Sequence, residues 1–134
     1  MTRAADPTET AKELAEAPSA EVGPMTAAAS VSIALGPNTN GWFTLYWAAA
    51  APSSYDWIGL YPSDATPDTG FITGNNWQWA VKGDTDPVSK EKNYVSSTAV
   101  QKSGYQARYL SWDPTAKVYR SILRTPAFVG EVCA

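Results

Sequence analysis

Carboxylates are the first residues in this chain that could do chemistry. The body of the sequence holds Asp56, Asp64, Asp68, Asp84, Asp86 and Asp113, and two of them across a cleft could hydrolyse a glycosidic bond. All but Asp56 stand in loops beside Pro, Thr or Gly, where aspartate is favoured because its side chain bonds the backbone that follows. The chain has no histidine and one cysteine, Cys133. That removes the usual Ser-His-Asp and Cys-His nucleophile systems and the commonest zinc ligand sets. "GDTDP" and "SDATPD" alternate oxygen ligands as calcium loops do, but lack the bidentate glutamate that completes such a site. Both read as turns. No glycine-rich phosphate cradle is present. The expectation is a protein that is not an enzyme and uses no metal or cofactor.

The aromatic residues suggest binding instead. Six Trp, seven Tyr and three Phe are more than one core of this size needs. In "NNWQWAVKG", alternation sends Trp77 and Trp79 to one face and Gln78 to the other. Trp112 ends its strand beside Asp113. An indole can anchor a protein contact, or stack on the C–H face of a sugar while Asn75, Asn76 and Gln78 take its hydroxyls. The expected ligand-binding set is therefore Trp77, Trp79, Trp112, Asn75, Asn76 and Gln78. The first reading is a non-catalytic protein-interaction or assembly subunit, and self-association would fit the same surface. The alternative is a lectin-like carbohydrate-binding module.

Asp56 stands directly before the bulky run Trp57-Ile58-Gly59-Leu60-Tyr61. A carboxylate at the entrance of a buried strand caps a turn or forms half of an ion pair. Its expected partner is Arg108, midway along a later alternating strand, and the pair would set register more than stability.

These residues need elements to hold them. "SVSIALG", "GWFTLYWAAA", "YDWIGLYP", "FITGNNWQWAVKG", "NYVSSTAV", "SGYQARYLSW" and "KVYRSILR" with "PAFV" read as short strands between turn signals. In the fourth of these, Gly74-Asn75-Asn76 kinks the run. About seven strands without crossover helices predict an all-β antiparallel sandwich of immunoglobulin or fibronectin III type over residues 30–134. Phe43, Leu45, Trp47, Trp57, Tyr105 and Tyr109 are the expected core, with Trp42 off it. Tyr105, after a Ser-Gly turn, occupies the place of a tyrosine corner. Residues 1–29 form a flexible Ala-, Glu- and Pro-rich arm by this reading. "TETAKELAEA" could make a short helix capped by Thr8, but only Leu14 offers it a large apolar contact.

The arm carries five acids against two bases, and the rest of the chain eight of each. No basic stripe exists, so nucleic acid is not an expected partner. No apolar run is long enough to span a membrane, and no secretory signal is recognisable at the start. A cytoplasmic protein and a mature processed form both fit. Cys133 rules out an internal disulfide and leaves only an intermolecular one.

"DWIGLYP" with the later "GYQARYL" resembles the small β-sandwich ahead of purple acid phosphatase catalytic domains. It also resembles the SKICH domains of autophagy adaptors and inositol phosphatases. The resemblance covers roughly residues 30–129. It implies an accessory domain that binds or positions something and does no chemistry itself.

Overall fold

A computed structural model describes residues 4–18, 23–37, 43–72, 76–82, 86–87, 91–94 and 103–129. A helix, α1 (Pro7–Glu16), precedes the strands β1 (Val31–Pro37), β2 (Phe43–Ala49), β3 (Trp57–Tyr61), β4 (Trp77–Trp79), β5 (Val81–Lys82), β6 (Asp86–Pro87), β7 (Glu91–Tyr94), β8 (Gln106–Asp113) and β9 (Val118–Arg124). One antiparallel sheet runs β1-β2-β7 and another β4-β3-β8-β9, with β5 and β6 paired as a small ribbon. The architecture is all-β, as expected. No described helix is long and apolar enough to cross a membrane.

The two larger sheets meet through alternate side chains. Val31, Leu45 and Trp47 of the first pack on Ile58, Ala107 and Tyr109 of the second, with Ala80 closing the cluster. β3 goes further: all five of its residues are buried. A strand covered on both faces loses its polar alternation, and "WIGLY" shows that loss. Ile58 enters the inter-sheet core, whereas Trp57 and Tyr61 face outward onto Leu110, Phe71, Trp77, Trp79 and Tyr119. Trp57 is 2% exposed, so its burial was anticipated but not its side of the sheet. Gly59 makes this possible. A Cβ there would lie 2.6 Å from Cζ3 of Trp57, so only glycine lets the indole lie across the strand.

Several expectations are corrected. Residues 71–72 are not strand, and β4 has only three residues. Ile72 still donates to the Leu60 carbonyl at 2.9 Å, so the segment stays against β3 without laddering. Tyr105 is half-buried, edge-on to Phe43 at 5.3 Å. The Tyr61 hydroxyl donates to the Asp68 carbonyl (2.6 Å) and the Tyr119 hydroxyl to that of Tyr55 (2.7 Å). Trp42 and residues 95–100 lie outside the described residues.

The arm also differs from expectation. Asp6, not Thr8, caps α1: its Oδ1 accepts from the Glu9 N–H at 2.8 Å, and Pro7 opens the helix. Leu14, 1% exposed, packs with Tyr55 and Trp112. The Lys117 Nζ donates to the Ala15 carbonyl at 3.2 Å. Leu14 has a slot to fill because distant parts of the sequence build one.

Candidate functional site

β4 forms one edge of its sheet, and its register sets Trp79 opposite Trp57 and Trp77 opposite Gly59. Both indoles therefore join the outer aromatic layer. Trp77 and Trp79 stand edge-to-face at 5.1 Å, and Trp57 and Trp77 at 6.5 Å. Trp77, Gln78 and Trp79 are all half-buried, leaving part of this layer at the surface. Three members of the expected ligand set thus share an edge strand.

The remaining members do not join them. Trp112 is 4% exposed and lies beneath α1 with Leu14 and Tyr55, edge-on to Tyr119 at 5.1 Å. It covers the end of the sandwich and cannot meet a ligand there. Asn76 is buried, and its carbonyl accepts from the Leu60 N–H, which makes it a strand-entry residue rather than a sugar contact. Asn75 lies outside the described residues.

Beside this layer a cleft of about 220 Å³ opens between α1, the 62–72 loop and the β8–β9 turn. Trp57 forms its floor, with Phe71 at 4.8 Å and Tyr119 at 5.8 Å set steeply against the indole as walls. Ala11 and Thr8 bound it on the helix side, and Thr69 and Lys117 stand on its rim. Lys117 owes its position to Asp113, whose Oδ1 accepts from the Thr115 and Ala116 N–H groups and whose carbonyl accepts from the Lys117 N–H. That turn brings Lys117 to φ 58°, an unusual conformation for a side chain other than glycine or asparagine. Nothing in the local sequence announced Phe71 and Tyr119 as cleft walls; the loop and the hairpin that bring them together are tertiary features.

The 62–72 loop is fixed by Arg108. Fully buried at 0% exposure, its guanidinium donates to Asp68 Oδ1 (2.9 Å), Gln106 Oε1 (2.8 Å) and the carbonyls of Ser63 and Asp64. It also lies 4.0 Å from the centre of the Tyr61 ring, a favourable cation–π arrangement. Asp68 accepts in addition from Ser121 and, at 3.5 Å, from Arg124. The expected Asp56–Arg108 bridge is therefore replaced by Asp68–Arg108, because Arg108 points to the outer face and Asp56 sits at the sandwich end. The sequence showed Asp68 only as one loop aspartate among several.

Asp56 has other partners. It is 0% exposed, and its Oδ2 accepts from Thr26 Oγ1 (2.6 Å), Tyr109 OH (2.6 Å) and the Ser53 N–H (3.0 Å). Burial pushes its carboxyl above the usual range of 3.8, while these donors pull it back. Burial and the neighbouring Asp56 together push the Tyr109 hydroxyl well above its ordinary value. The Thr26 N–H bonds Ser111 Oγ at 2.9 Å. This cluster is sealed from solvent and ties residue 26 to β3 and β8. It forms a latch between the N-terminal segment and the sandwich.

Comparison of the chain with known protein families, curated proteins and solved structures returned no match.

Proposed function

We propose that this chain is a non-catalytic protein-interaction module, built as an immunoglobulin or fibronectin III type sandwich that resembles the SKICH and purple acid phosphatase accessory domains. Its contact surface is the outer face of the β4-β3-β8-β9 sheet, together with α1. The observation that carries this reading is the continuous aromatic layer from Trp57 through Trp77 and Trp79, which ends half-buried on an edge strand. Large aromatic anchors at a partly desolvated surface are what interface hot spots use. The chain's lack of histidine supports the non-catalytic part.

The carbohydrate-binding reading keeps Trp77, Trp79 and Gln78, whose partial exposure favours it, and no longer draws on Trp112 or Asn76. Two variants separate the readings: Trp77→Ala/Trp79→Ala, and the chain without residues 1–17. A protein-interaction module loses its bound protein in both and shows no saturable fluorescence change across a glycan panel. A sugar binder responds to one glycan class, loses that response with the Trp pair, and keeps it without the helix.

A further inference from the structure

α1 and the sandwich are each organised without the other. The helix is capped from within: Asp6 accepts from the Glu9 N–H, and the Thr10 hydroxyl donates to the Asp6 carbonyl while accepting from the Ala4 N–H. Its buried residues, Pro7, Thr10 and Leu14, form one narrow stripe at helical spacing, and Glu9, Lys12, Glu13 and Glu16 are exposed. A helix of 10 residues is marginal in water, so it persists while seated in a slot. The slot is built by the sandwich. The Tyr119 hydroxyl donates to the Tyr55 carbonyl at 2.7 Å, and its ring stands edge-on to Trp112 at 5.1 Å. These contacts need nothing from α1.

The chain also enters the sandwich at a separate anchor, where Thr26 bonds Asp56 and Ser111. Between that anchor and the helix lies "PSAEVGPM", residues 18–25. Ala17 leaves the helix in extended backbone, as a residue before proline prefers, and Gly23 has a φ of 71° that suits glycine. A tether of this length reaches at most about 26–29 Å, longer than the helix itself, at about 15 Å. α1 can therefore leave its slot without breaking the latch or the sheets.

We propose that the slot of Tyr55, Trp112 and Tyr119 also receives α1 from a second copy of this chain, the two copies exchanging helices reciprocally. The occupant is the one seated there already: Leu14 makes the same contacts, now between copies, in a two-fold pair. Closed and exchanged forms then differ in tether entropy rather than in contacts. A short tether sets an effective concentration in the millimolar range. The closed single chain dominates when dilute, and exchange becomes extensive at about 1 mM.

The test mixes two full-length chains, both Cys133→Ala. One is isotope-labelled; the other carries Lys12→Cys with a spin label, at a site on the exposed side of α1. The expected result at about 1 mM is selective broadening of the Trp112 indole and the Tyr55 and Tyr119 amides in the isotope-labelled copy. Dilution by about tenfold should largely remove it. Leu14→Asp in the spin-labelled copy should abolish it, because that helix can no longer be seated. Leu14→Asp in the isotope-labelled copy should strengthen it, because that slot is vacated. The proposal is overturned if the slot stays sharp in the parent mixture at about 1 mM, if the Leu14→Asp spin-labelled copy broadens it equally, or if the broadening falls away from the slot. Neither result bears on the Trp77–Trp79 surface, which has its own test.

Discussion

Two buried charged residues organise this molecule, and each is held by a set of partners rather than by one opposite charge. Arg108 combines an ion pair with Asp68, three further acceptors and the Tyr61 ring. Truncating one partner of a buried pair leaves the other uncompensated, so Arg108→Ala should cost about 3–5 kcal/mol in urea unfolding. Arg108→Lys should also destabilise, because an ammonium cannot reproduce the planar fork. Asp56 is held by hydroxyls and a backbone N–H. Its folded pKa lies above the unfolded value of 3.8. The native state then binds more protons, and the stability it contributes is complete below that value and is lost as pH rises through the folded pKa. Asp113 shifts the opposite way, lowered by the Ala116 N–H and by Arg120. The difference in unfolding free energy between wild type and Asp56→Asn isolates the Asp56 contribution. Plotted against pH, it should fall in wild type relative to the variant from about pH 4 upward.

At the scale of elements, β3 and α1 carry the account. The Trp57 ring across Gly59 means that Gly59→Ala must displace an indole or bend the strand. The expected cost is about 1–3 kcal/mol, with an altered near-ultraviolet circular dichroism signal from Trp57. α1 is held mainly by Leu14 in the Tyr55–Trp112 slot. Leu14→Ala should release the helix before the sheets: amide exchange should accelerate across residues 7–16 while β3 and β8 stay protected, and Trp112 emission should shift to the red. The strands were legible in the sequence because "SVSIALG" and "GYQARYLSW" alternate and end at turn residues. The second face of β3 was not, because "WIGLY" has no polar side to reveal which aromatic points where. The docking of α1 was hidden for a related reason. One leucine is too little to predict burial unless Tyr55, Trp112 and Tyr119, separated by up to 64 residues, are known to converge.

For the molecule as a whole, the same distinction decides what could be read of the site. Trp77, Gln78 and Trp79 share one strand as expected, because neighbours on one strand keep their relation in any fold with that strand. Trp112 and Asn76 were misplaced because only tertiary packing shows that they are covered. Asp68 and Arg108 pair across 40 positions, a separation at which no local pattern acts. The assembled picture is a sandwich whose inner faces form the core and whose outer second sheet is clad in aromatics, clamped by an arginine-centred loop and a docked helix. Such cladding exceeds what the inter-sheet core requires and ends at a partly exposed edge.

The most direct measurement is the mass in solution of the tagged chain isolated natively from the cells that make it, beside the Trp77→Ala/Trp79→Ala variant shown to be folded. The account predicts that the parent chain elutes in a complex with a stoichiometric second protein, and that the variant elutes at its own 14.4 kDa. Both chains eluting alone at 14.4 kDa, or both retaining the same partner, would contradict it.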